Sequence, residues 1–334
     1  MQKPVAVTGA TGFVGGHLLA ALLACDRPVR VLVRDAKRLD PGIDQHSAKV
    51  EIIEGDLENK TALEQLTTGA GVVIHCAGAI AALDQGGFFK VNQAGAQNVA
   101  QAAVNAGVER FILVSSLAAR EPQLSDYAAS KRAGEDSVAA LVDSDKLIIV
   151  RPPAVYGPGD RATLPLIKAL TQSRAILPGR ADQKISLIFV KDLAALLVQL
   201  VDSKAPVGAV LEVDDGHADG YRFKDIVDLA AKAQGRQTRL TLLPRVVVAI
   251  AGVAALAVSR LMSKPAVLSP AKVRELYHLD WVAKGAQIAG WQPQIQFEEG
   301  FSLTLDWYQQ NGWLPGAKMT AKSHDIINNR EPEK

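Results

Sequence analysis

Val5-Ala6-Val7-Thr8-Gly9-Ala10-Thr11-Gly12-Phe13-Val14-Gly15 decides the fold of this chain. Val5 to Thr8 reads as a short buried strand, three glycines follow at intervals of three, and a helical apolar pattern begins at Phe13. Gly9 permits a tight turn, Gly12 lets backbone N–H groups approach an anion at the helix N-terminus, and Gly15 allows the helix to lie close on the strand. A glycine triplet alone is a weak signal. Placed between a first strand and a first helix, it predicts a dinucleotide whose pyrophosphate is held around Thr11, Gly12, Phe13 and Val14.

Further along, short β-branched runs alternate with helical stretches. Candidate strands are 5–8, 29–33, 50–54, 72–75, 111–115 and 147–151, and candidate helices lie near 13–24, 90–106 and 127–141. The strands are mostly apolar throughout, as strands covered on both faces should be. The pattern predicts an α/β fold, a Rossmann-type doubly wound parallel sheet with helices on both faces. After Arg151 the texture changes to Pro152, Pro153, Gly157, Pro158 and Gly159. Residues 1–155 with 185–205 read as the dinucleotide-binding domain, and 156–184 with 206–316 as a smaller substrate-binding lobe. The polar end, 317–334, reads as a flexible tail.

Composition narrows the classes. The 334 residues are 48% hydrophobic and 22% charged, enough for a substantial core. A net charge of +2 without a local basic stripe gives no reason to expect nucleic acid. Cys25 and Cys76 form no ligand or disulfide pattern, and the six histidines have no ligand spacing, so no metal is expected. The first residues lack the features of a secretion leader, which with the cysteine usage predicts a reducing, cytoplasmic setting. The longest apolar run, Val246–Val258, is too short to span a bilayer, which takes roughly 20 residues. It could line a substrate pocket, pack in a subunit interface such as a homodimer's, or lie at a membrane surface.

Other positions refine the cofactor. An acidic residue about 20 positions beyond the glycines would hold the ribose of NAD. Here the second strand ends Val33-Arg34-Asp35, with Lys37 and Arg38 close behind. Arg34 and Arg38 suit a 2′-phosphate, which predicts NADP rather than NAD, with Asp35 the residue that would reverse this. Asp56 and Leu57, after the third strand, stand where an adenine would lie, and Cys76-Ala77-Gly78 are small residues that leave room for a cofactor.

Tyr127-Ala128-Ala129-Ser130-Lys131 places a phenol and an ammonium on one helical face. A nearby ammonium favours the phenolate, lowering the tyrosine pKa toward the range a proton donor needs. The same lysine can hold ribose hydroxyls. Ser115-Ser116 ends the preceding strand at its carboxyl edge, where open α/β sheets bind ligands.

With these residues in chain order, the sequence resembles the extended short-chain dehydrogenase/reductase family, also called the NAD-dependent epimerase/dehydratase family. The matching motifs are Thr8 to Gly15, Gly55-Asp56-Leu57, Val91-Asn92 with Gly95 and Asn98, Val114-Ser115-Ser116, Tyr127 to Lys131, Arg151-Pro152-Pro153 with Val155 to Gly159, and Phe189 to Leu193. The resemblance implies a catalytic triad of Ser116, Tyr127 and Lys131, with Asn92 in support. It also implies that Pro152 and Val155 border the nicotinamide; the double proline read alone is a rigid turn. The C-terminal third resembles the branch of 3β-hydroxysteroid dehydrogenases and dihydroflavonol reductases.

Departures bear on the substrate. Nucleotide-sugar epimerases of the family usually continue the serine strand as S-S-x-x-V-Y-G and carry an asparagine where this chain has Ala154; here Ser115-Ser116-Leu117-Ala118 follows neither pattern. Dehydratases of the family have Thr-Asp-Glu at the serine position, and no such acid is present. The reading is hydride transfer between NADP and a ketone or secondary alcohol of a small apolar molecule. The alternatives are a nucleotide-sugar epimerase and a non-catalytic NADP-binding sensor or assembly subunit.

Overall fold

The computed structural model describes residues 2–40, 42–43, 47–202, 208–262, 268–286 and 288–315. The expected tail, 317–334, lies outside them. In chain order the strands are β1 (Val5–Thr8), β2 (Val29–Val33), β3 (Val50–Glu54), β4 (Val72–His75), β5 (Arg110–Val114), β6 (Leu147–Arg151), β7 (Ala154–Tyr156), β8 (Arg174–Pro178), β9 (Lys184–Ile185), β10 (Leu187–Phe189), β11 (Val210–Glu212), β12 (Tyr221–Arg222), β13 (Arg239–Leu243) and β14 (Asp280–Trp281). The α-helices are α1 (Phe13–Ala24), α2 (Lys60–Thr67), α3 (Gln85–Phe89), α4 (Ala96–Asn105), α5 (Asp126–Ala139), α6 (Leu164–Leu170), α7 (Val190–Asp202), α8 (Phe223–Ala233), α9 (Arg245–Met262), α10 (Pro270–Leu276) and α11 (Phe297–Gln310).

Seven strands make one sheet in the order β11-β6-β5-β4-β1-β2-β3, every pair parallel. This is the doubly wound Rossmann sheet, and its order reverses between β1 and β4. Successive side chains leave a strand on opposite faces, so each strand feeds two cores. Val7, Val31, Ile74 and Ile112 meet Leu18, Leu22, Leu193 and Leu197 of α1 and α7. Ala6, Leu32, Val73 and Phe111 meet Leu63, Leu66, Val99 and Ala103 of α2 and α4.

Two assignments in the second half differ from the sequence reading. The segment 185–205, read as part of the dinucleotide-binding domain, begins with the end of β9 and with β10, and β10 pairs with β7 in a separate two-stranded sheet. The segment 185–205 therefore adds to the main domain a covering helix, α7, and no sheet strand. The seventh strand is β11, from the stretch read as lobe. A three-residue edge strand carries too little pattern to show which sheet it joins. A third aromatic-rich core, with Tyr156, Phe189, Tyr221, Phe297, Phe301 and Tyr308, lies under the lobe. Trp307, Trp313 and Tyr308 close it by ring contacts, whereas Trp291 packs on the main core.

The apolar run Val246–Val258 lies within α9. One face packs on α10 through Val248, Val273 and Tyr277, while Val246, Val247, Ile250, Val253 and Val258 are exposed. Among the described residues no helix is long and apolar enough to cross a membrane.

The base of α5 is fixed by charge. Arg151 at the end of β6 donates to Glu135 of α5 through Nε at 2.9 Å and Nη2 at 2.6 Å, and the two side chains are only 12% and 4% exposed. Glu212 of β11 stands 3.7 Å from the same guanidinium. Removing one partner of a buried pair strands the other charge. Glu135→Ala is expected to cost about 3–5 kcal/mol in denaturant unfolding, with part recovered in Glu135→Met/Arg151→Met. A loss of under about 1 kcal/mol would place the pair with ordinary surface ion pairs.

Candidate active site

The glycine turn has the geometry its sequence predicts. Gly9 adopts φ +79°, and a β-carbon there would stand 2.6 Å from the Ala77 amide nitrogen. A β-carbon on Gly15 would overlap the Gly9 carbonyl. The turn closes with Gly12 N–H donating to Gly9 O at 2.9 Å. Gly12 caps α1 without a side-chain hydrogen bond, so the first-turn N–H groups, with Thr11 alongside and Phe13 and Val14 opening the helix, face outward at the positive end of the helix dipole. The narrow cradle between β1 and β4, at the point where strand order reverses, fits a dinucleotide pyrophosphate.

The flanks are also placed by specific contacts. Arg34 and Arg38 are exposed beyond β2. Asp35 is turned onto its own chain, accepting from Lys37 N at 3.0 Å. Asp56 likewise accepts from the backbone N–H groups of Glu58 and Asn59 at 2.9 and 3.0 Å. Leu57 is held from behind: Asn98 Nδ2 donates to its carbonyl at 2.9 Å, and a β-carbon on Gly95 would stand 2.6 Å from its side chain. Ala77 N donates to Thr8 Oγ1 at 3.3 Å, tying the Cys76-Ala77-Gly78 segment to β1. Pro152 O accepts from Leu117 N at 2.8 Å, so the double proline braces the loop that follows Ser116, and Val155 lies in β7.

Ser116, Tyr127, Lys131 and Asn92 converge beyond the carboxyl end of β5. Ser116 caps the 3-10 turn Leu117–Arg120, its Oγ accepting from Ala118 N at 3.2 Å, and it lies within hydrogen-bonding reach of the Tyr127 phenol. Ser115 is buried, with a hydroxyl that has no hydrogen-bond partner among the described residues. Ser125 caps α5 and so aims Tyr127 and Lys131, accepting from Ala128 N at 3.0 Å. Asn92 sits in the π-helical turn Lys90–Gly95. It donates to Ala79 O at 3.0 Å and Ser130 Oγ at 2.9 Å, and accepts from Ala79 N at 2.8 Å. It acts as a brace between the loop after β4 and α5. Gly134 permits this packing, since a β-carbon there would overlap the Asn92 carbonyl.

The electrostatics differ from the sequence expectation at one point. The Tyr127 phenol lies above its ordinary pKa, because burial outweighs the hydrogen bond from Ser116, and Glu275 raises it further. Lys131 does not offset this: its ammonium donates to Val114 O at 2.9 Å. Burial lowers Lys131 itself to about 8. His75 is held neutral, lowered to about 3 by burial and by the Lys131 charge, and its Nδ1 stands 2.7 Å from Thr8 Oγ1. Burial pushes the Cys76 thiol up to about 12, so it is not a nucleophile near neutral pH.

Sequence reading missed two residues at this site. The Phe88 ring meets Tyr127 edge-on, centroids 6.2 Å apart, and Glu275 accepts a hydrogen bond from Ser125 at the foot of α5. Phe88 follows Gly86-Gly87 with no motif to mark it. Glu275 lies on α10, far along the chain, and no local signal connects it to Tyr127.

A family model, described as the NAD-dependent epimerase/dehydratase family, matches residues 5–213. The chain belongs to that family. It is 45% identical over 313 residues to a ceramide reductase of Caulobacter vibrioides, covering 93% of this chain and 96% of the relative. A UDP-glucose 4-epimerase of Vibrio cholerae is 32% identical over 244 residues, 65% of this chain and 72% of that one. In fold it matches the solved structure of MoeE5 in complex with UDP-glucose and NAD, with a TM-score of 0.69 at 21% identity, covering 92% of this chain and 99% of that one. The protein is thus an enzyme of the extended short-chain dehydrogenase/reductase type, from an NAD(P)-binding family of oxidoreductases and epimerases.

The buried lysine should be legible in stability. With its pKa lowered from 10.5 to about 8, the charged form is disfavoured in the folded state, so folding carries that cost below pH 8 and sheds it as pH rises toward 10.5. Lys131→Met is expected to melt about 2 °C or more higher than the parent at neutral pH, with the gap closing in alkaline buffer. A lower melting temperature at neutral pH would show that the hydrogen bond to Val114 outweighs the desolvation.

Proposed function

We propose that this enzyme reduces a ketone on an apolar, ceramide-like lipid to the secondary alcohol, using NADPH. The observation that carries the reading is the convergence of Ser116, Tyr127 and Lys131 at the carboxyl edge of β5, beside the glycine cradle. Bound NADPH would supply the hydride, its pyrophosphate held at Gly9, Thr11, Gly12 and the N–H groups of Phe13 and Val14. Asp56 and Leu57 would flank the adenine, and Cys76, Ala77, Gly78, Ser115, Pro152 and Val155 the rest of the cofactor. Ser116 donates a hydrogen bond to the substrate carbonyl, and Tyr127 delivers the proton to its oxygen. Lys131 holds the ribose, and the burial that raises Tyr127 keeps the phenol protonated and ready to donate.

Two observations support the finer choices. Asp35 already accepts from its own backbone, which leaves Arg34 and Arg38 exposed for a 2′-phosphate. Phe88 beside Tyr127, with Ile80 72% and Leu83 55% exposed on the loop before it, makes an apolar approach to the phenol. The likeness to a ceramide reductase over nearly the whole chain agrees with such a substrate.

Oxidation of NADPH and NADH, followed separately by absorbance with a keto-ceramide analogue, tests the reading. NADPH should be preferred by about tenfold or more, and Arg34→Ser/Arg38→Ser should erase the preference. Tyr127→Phe should lower kcat by about 100-fold or more. Turnover should decline as pH rises through about 8, where Lys131 loses its proton. Epimerisation of UDP-glucose without net NADPH consumption would overturn the proposal in favour of the epimerase.

A further inference from the structure

We propose that α9 docks this enzyme onto an anionic lipid bilayer, its outer face among the acyl chains and the surrounding basic residues on the headgroups. The outer face is an uncovered aliphatic stripe. Val246, Ile250 and Val253, at i, i+4 and i+7, are 69%, 67% and 60% exposed, and Val247 and Val258 widen the stripe. The helix cannot roll to hide it. Val248 is packed against Val273 and Tyr277, and Gly252 lies so close to α10 that a β-carbon would come within 3.3 Å of the Ser269 backbone. A fixed apolar face open to water marks an interaction surface.

Charge identifies the partner. From Leu229 to Arg274 the chain has eight Lys or Arg and no Asp or Glu, although its net charge is only +2. Arg245 is exposed where α9 begins, and it shares a cleft of about 270 Å³ with Leu243, Pro244, Tyr277 and Arg180, the last paired with Asp182. Arg239, Lys272 and Arg274 are exposed on the elements on either side, Lys272 paired with Glu275 and Arg274 donating to the Leu124 carbonyl. An apolar stripe bordered by positive charge complements a negatively charged bilayer. A second copy of the chain fits it poorly, because two such faces would oppose like charges.

The position suits the chemistry. α10, on which α9 rests, carries Glu275, which accepts from Ser125 two residues before Tyr127. A docked α9 would therefore hold the phenol close to the bilayer surface. The docking stands independently of the substrate proposed above, though a lipid substrate would gain most from it.

Flotation of the full chain with vesicles tests this. Wild type should float with vesicles of phosphatidylcholine and phosphatidylglycerol in equal parts, less so with phosphatidylcholine alone, and should be partly released by high salt. Val246→Ser/Ile250→Ser/Val253→Ser should lower partitioning more than about tenfold, with circular dichroism and NADPH binding unchanged. Arg239→Glu/Arg245→Glu should weaken binding to the mixed vesicles only. The proposal is overturned if wild type floats with neither vesicle, or if the serine variant floats as well as wild type. It is equally overturned if light scattering shows a dimer that the serine variant splits while neither protein binds vesicles.

Discussion

The first strand and the fourth approach each other so closely that Gly9 has no room for a β-carbon against Ala77. Much else in the molecule depends on that approach. It brings the glycine turn and the Cys76-Ala77-Gly78 segment to the place where strand order reverses, and there an open α/β sheet has its crevice. Gly15 continues the same constraint into α1, which must lie on the Gly9 carbonyl before its leucines can reach the core under the sheet. Gly95 and Gly134 repeat the device on the other side, bringing Leu57 and Asn92 to their places. A scaffold built this tightly presents backbone N–H groups rather than side chains at its mouth.

Beside that mouth the protein tolerates buried charge. Lys131 is almost fully enclosed, lowered by burial, and held by one backbone carbonyl, while His75 and Cys76 next to it are kept neutral by the same burial. Arrangements of this kind are poor for stability and good for chemistry, because charges held away from water act strongly on one another. The Arg151–Glu135 pair anchors the same helix one turn further along, where geometry is nearly ideal and both partners are covered.

The first half of the chain was readable because its signals are local. Strand, turn and helix follow within a few residues of one another, and the strand limits matched to within a residue at β1 through β6. The second half was less so. β11 joins the main sheet through three residues, β9 and β10 divide between two small sheets, and the apolar run of α9 reads the same whether its outer face is covered or bare. At the candidate site the motif residues converged as their order suggested, but the state of Tyr127 did not follow from the neighbouring lysine. Burial decides that balance, Glu275 adds to it from far along the chain, and the Lys131 ammonium is turned to the Val114 carbonyl.

The sequence by itself determined the sheet, the glycine turn and the family, because each depends on residue types at short fixed spacings that the backbone must obey. Only the tertiary structure decided which ends of the chain meet at Tyr127, where the last strand pairs, and that one face of α9 stays uncovered. Those outcomes depend on burial and on contacts between residues far apart in the chain, and no local spacing encodes them.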